Sequence, residues 1–158
     1  MTLSAGTQGA VRALWLIGAR YGREVSPNVG SDLLEDDDPL DPPDATTVEM
    51  AGLPVITVRL FRDLSDLVTI DDMIEFEVPR HDTLALVESV LAGNARLRSL
   101  SGTRWSVVRA MLLAPFVPYG VVVGQVVVIT VSGGACYEQP VPLQPVGGSV
   151  WLSKLPST

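Results

Sequence analysis

One cysteine, one histidine and one lysine occur in the 158 residues, and aromatic side chains make up only 6% of them. Each scarcity excludes something. Cys136 has no second cysteine to bond within the chain, a usage expected of a reducing, cytoplasmic compartment. His81 is the only imidazole, so a small Cys/His hydrolase would have to join it to Cys136. Nothing in the sequence brings a mid-hairpin thiol to the helix start at His81. Glycine loops followed by lysine that cradle phosphate, CxxC pairs and glycosylation acceptors are all missing. On these grounds no catalytic residue, cofactor or metal ligand is expected.

Charge is short as well. Charged residues are 18% of the chain, against about a quarter in ordinary globular proteins, which implies a surface poor in charge or covered by a partner. The net charge of -7 is unevenly placed: residues 1–79 hold fifteen acids and five arginines, residues 80–158 three acids and six bases. An acidic chain without clustered cations is not a general nucleic-acid binder, because phosphate contacts need such clusters. The stretch ALWLIGA (Ala13–Ala19) follows no basic segment and is short for a secretory leader, so none is expected.

What the chain does have is a run of 28 uncharged residues, Ala110 to Tyr137. It exceeds the roughly 20 residues a membrane helix needs. Its composition argues against one. Pro115 and Pro118 would remove helical hydrogen bonds in hydrocarbon, where no water replaces them, and the valines beyond them favour strands. The better reading is a Pro-rich corner, a central strand Val121–Ser132 apolar on both faces, and a two-residue Gly133-Gly134 turn. The returning strand would set Thr130 against Tyr137 and Val131 against Cys136, burying the thiol. Its prolines, from Pro140 onward, place it at a sheet edge. A small membrane-associated protein using segment 110–132 is the alternative, with membrane contact not expected.

Upstream, Thr7–Arg20 reads as a helix with Val11, Leu14, Trp15 and Gly18 on one face, stopped by Gly22. A long acidic, Pro-rich loop follows at about 26–47. Two strands about Ala51-Gly52 and two about Asp71-Asp72 come next, with Ile56, Val58 and Leu60, then Ile74, Phe76 and Val78, facing inward. The segment from His81 is a helix capped by Asp82 or Thr83, burying Leu84, Val87 and Leu91, and ended by Gly93. ARLRSL and RWSVVRAML form a hairpin about Ser101–Thr103, and SVWLSKL is a last short strand with Trp151 on the core.

The expected architecture is therefore a single α+β domain: a mainly antiparallel sheet of six or more short strands with one or two helices packed on it. Two surfaces are candidate partner contacts. Asp36, Asp37, Asp38, Asp41 and Asp44 form a solvated acidic segment that lacks the glycine turn and terminal glutamate of a calcium loop. Arg96, Arg98, Arg104 and Arg109 form an opposing basic patch. High apolar content without site chemistry points to a non-enzymatic interaction or assembly protein. It would be either an oligomer-forming structural subunit or an acidic binder of a basic partner, as an immunity-like protein is. A protein partner or self-association is expected.

Overall fold

Alternation of apolar and polar residues along the strands between Thr46 and Pro79 builds the larger sheet. The computed structural model describes residues 5–28, 46–61, 65–99, 125–141 and 149–157. Strands β1 (Val25–Asn28), β2 (Thr46–Met50), β3 (Ile56–Leu60), β4 (Ser65–Ile70) and β5 (Ile74–Pro79) follow one another in space as in sequence, each antiparallel to the next. Their registers stack the inward side chains into rows: Val48, Val58, Val68 and Phe76 in one, Met50, Ile56, Ile70 and Ile74 in another. All are buried, as period-two patterning predicts. Each such side chain contributes about 1.5–3 kcal/mol by leaving water. The opposite face carries Glu49, Thr57, Thr69 and Glu75 in the matching row, so this sheet is apolar on one side only.

The Asp71-Asp72 turn forms as expected, with both residues at positive φ, 50° and 53°. Asp71 accepts the Val55 amide at 2.9 Å through Oδ1 and donates its own amide to the Val55 carbonyl. Those bonds hold a backbone angle that aspartate tolerates better than most residues.

Helix α1 (Ala5–Arg20) and helix α2 (Arg80–Leu91) pack against the sheet and each other. Both exist and stop where expected, ended by Gly22 and Gly93 at φ 64° and 78°, but α2 starts at Arg80, ahead of the expected cap. Their buried faces are rotated from the expected ones. α1 buries Thr7, Ala10, Leu14, Ile17 and Gly18, and leaves Trp15 exposed. Gly18 permits the close approach, since a Cβ there would overlap the Val25 side chain of β1. α2 buries Thr83, Leu86, Val87 and Val90, while Leu84 and Leu91 are only half-buried. Asp82 and Thr83 lie inside α2 and cap nothing at its start; Pro79 holds the N-cap position without a side-chain hydrogen bond.

The expectation of one sheet with six or more strands is corrected. Among the described residues, sheet one has five strands, and a second antiparallel sheet has three, in the order β6 (Ala95–Ser99), β7 (Gln125–Thr130), β8 (Cys136–Pro140). Among the described residues there are three helices, the last being α3 (Val150–Lys154) in place of the expected final strand. Ser149 caps α3 by accepting the Leu152 amide at 3.0 Å, and Trp151 is buried as expected. β7 is central and β8 lies at an edge, as read from the sequence. The described partner of β6 is β7; the Ser101–Thr103 hairpin lies outside the described residues, as do segments 29–45, 110–124 and 142–148. The outer ends of the expected acidic loop are strand: Ser26 belongs to β1, and Thr46 and Thr47 to β2.

The β7–β8 register differs from the expected one by a single residue, with large consequences. Thr130 pairs with Cys136 and Ile129 with Tyr137. The turn has three residues, Ser132 to Gly134, closed by a Val131 amide to Ala135 carbonyl bond of 3.0 Å, and only Gly134 has positive φ (83°). Because strand side chains alternate, one residue of slip exchanges the faces. Cys136 is therefore exposed, not buried, and Tyr137 turns inward.

Candidate functional site

Alternation along β6 and β7 puts Arg96, Arg98, Val128 and Thr130 on the outer face of the second sheet, with Arg96 paired directly opposite Val128. The chain enters β6 from the end of α2 through Gly93 and Asn94, so the last turn of that helix rises beside this face. Between them lies an open cleft of about 790 Å³. Tyr21, Asn94, Arg96, Arg98, Thr130 and Ser132 supply its polar wall, and Ala85, Ala92, Val128 and Val131 its apolar wall. Arg98 is occupied, donating to Glu138 at 2.6 Å. Glu88, also at the cleft, is held by Arg20 at 2.5 Å. Arg96 is exposed and has no ion-pair partner among the described residues.

A second surface is apolar. On α1, Trp15 is 47% exposed and Leu16 69%, and with Val11 and Arg12 they line a shallow groove of about 480 Å³. Isolated apolar residues on a surface need no explanation, but adjacent large ones on a helix also carrying a cation form a patch.

The third cluster joins the second sheet to α2. The Tyr137 hydroxyl on β8 donates to Asp82 Oδ2 on α2 at 2.6 Å, and His81 Nε2 lies 3.8 Å from the same oxygen. His81 is 79% exposed. Burial, then the hydrogen bond to Asp82 and its negative charge, push the Tyr137 pKa from 10.0 up to about 12. The folded state thus favours the protonated phenol. Its contribution is complete below pH 10 and is lost as pH rises toward 12. Tyr137→Phe should cost about 1 kcal/mol at neutral pH and abolish this loss, read by urea unfolding across pH 8 to 12. An unchanged alkaline profile in Tyr137→Phe would assign the loss to another group.

The β8 strand does therefore reach the start of α2, which sequence reasoning did not anticipate. It arrives through Tyr137 rather than Cys136. The thiol, one residue earlier, points to the opposite face of the strand, so His81 and Cys136 are not brought together as a catalytic pair.

A buried polar cluster was also missed. Asp66, fully buried on β4, accepts Arg80 Nε at 2.6 Å and the Thr83 hydroxyl at 2.7 Å; Arg80 also donates to the Phe61 carbonyl at 2.5 Å. This arrangement fixes the entry of α2 onto the sheet. Asp66 occupies an inward position between Leu60 and Val78, where alternation predicts an apolar residue, and that break in pattern was the available signal.

Of the sequence-derived contact residues, the structure brings Arg96 and Arg98 together at the cleft. Arg104, Arg109, Asp36, Asp37, Asp38, Asp41 and Asp44 lie outside the described residues. Among the described residues, no helix is long and apolar enough to cross a membrane. Comparisons with protein-family models, curated proteins and solved structures found no match.

Proposed function

We propose that this protein is a non-enzymatic assembly protein that pairs with a second copy of itself through α1. What carries the reading is the exposed side-by-side placement of Trp15 and Leu16 on a helix whose other face is fully engaged. The sequence of that face is self-complementary. An antiparallel helix pair about a two-fold axis between Ala13 and Leu14 sets Val11 against Leu16 of the partner subunit, and Arg12 over the ring of the partner's Trp15. A guanidinium on an indole face contributes about 0.5–1 kcal/mol at an exposed site, and occurs twice in a two-fold dimer. α1 contains no acidic residue that would draw Arg12 aside along the helix.

A helix of 16 residues is about 24 Å long, so one helix pair buries less than the roughly 800 Å² per partner of a standard interface. The expected dimer is weak and concentration-dependent. Sedimentation equilibrium over a concentration series should give a monomer–dimer mass, and Leu16→Glu should give the monomer mass throughout. The substitution should leave the melting temperature unchanged, because Leu16 touches little of the core. A wild type that is monomeric at every concentration, or a Leu16→Glu variant that still dimerises, overturns the reading.

A further inference from the structure

We infer that the cleft between the end of α2 and the second sheet binds a small organic oxyanion, a phosphate or carboxylate carried on an apolar body, with its head on Arg96. The ordinary alternative is that Arg96 is a solvated surface cation. Three observations favour the ligand.

The first is electrostatic. The two other charged residues that line the cleft among the described residues are already matched, Arg98 by Glu138 and Glu88 by Arg20. Among the described residues Arg96 is the cation left over at the cleft, so their charges there sum to positive in a chain of net charge -7. The second is the donor set. Asn94, Thr130 and Ser132 offer an amide and two hydroxyls around the same space, and a planar guanidinium fits either oxyanion through two parallel hydrogen bonds. The third is the wall. Ala92, Val128 and Val131 give an apolar surface beside the cation, which an inorganic ion does not need and an organic anion buries. Arg98 contributes further by its place: its bond to Glu138 fixes it two residues along the strand, so its own charge is spent and Arg96 keeps the head group.

The test is calorimetric titration of the full chain with phenyl phosphate and, separately, phenylacetate, which distinguishes the two head groups. At least one should bind saturably, with affinity falling as salt rises. Arg96→Gln should weaken that binding about tenfold or more while leaving the circular dichroism and melting curve unchanged, since Arg96 lies exposed. Val128→Asp gives an independent check, because it places a carboxylate opposite Arg96 and should abolish binding as well. Saturable binding lost in both folded variants supports the site. Absence of saturable binding for both probes, or wild-type affinity in folded Arg96→Gln, overturns it.

Discussion

Val127→Asp should unfold the protein or drive it into aggregates, while Val128→Asp, one residue along the same strand, should leave it folded. Val127 is fully buried between the second sheet and the layer formed by α2 and the larger sheet, so its carboxylate would have neither water nor a partner. Burial of an unpaired charge is among the few single changes that cost more than about 4 kcal/mol, a large share of the 5–15 kcal/mol that holds a typical domain together. Val128 faces outward, half-buried, with Arg96 directly opposite, so an aspartate there meets a guanidinium and solvent. Urea unfolding followed by circular dichroism separates the two outcomes. A strand buried equally on both faces, as its composition suggests, would lose its fold with either substitution, and that result would contradict the orientation described above.

Asp66→Ala should destabilise the protein by about 3–5 kcal/mol, the cost of removing one partner from a buried ion pair. The carboxylate is fully buried and accepts from Arg80 and Thr83 together, so its loss strands two donors at once. Arg80 is 14% exposed and can turn partly toward water, which places the expected value at the lower end. A midpoint shift in urea with an unchanged slope would identify a stability loss rather than a change of folded state. Asp66→Ala combined with Arg80→Met should recover part of the loss, because the double change removes the orphaned charge. A loss below about 1 kcal/mol would mean that the cluster is solvated in solution.

Much of the larger sheet was legible because its strands obey period two with one inward break, at Asp66. Ile56, Val58 and Leu60, and Ile74, Phe76 and Val78, point inward as read, and the turns at Gly52 and Asp71-Asp72 stand where expected. The helices were legible in extent but not in rotation. In α1, Val11, Trp15 and Leu16 add apolar surface beside the buried Ala10, Leu14 and Ile17, so the pattern does not distinguish a core stripe from a contact patch. The identity of α3 was hidden for a different reason. Val150 to Leu155 is too short for periodicity to choose between strand and helix, and the only local signal was Ser149 three residues before Leu152.

The candidate site was half legible. Placing Arg96 and Arg98 on one face followed from strand alternation alone, whereas the cleft depends on where α2 ends, a tertiary fact. The error at Cys136 came from one glycine. Gly133-Gly134 can close a two-residue turn or take part in a three-residue one, and the choice inverts every side chain on the returning strand. Tyr137 and its bond to Asp82 were lost with it.

The four edges of the described sheets bear on polymerisation. A bare strand edge with a continuous row of outward amides can add further chains without limit. On β1 the pairing alternates so that Pro27 stands at an outward position, and on β8 Pro140 does the same. Proline has no amide hydrogen, so each row is broken. β5 lies against β8, and β6 is bridged through Leu97 to Pro156 and Ser157 near the end of the chain. No edge among the described strands offers an unbroken template. Growth by strand addition is thereby disfavoured, whereas the two-fold α1 pairing proposed above would close on itself after two copies.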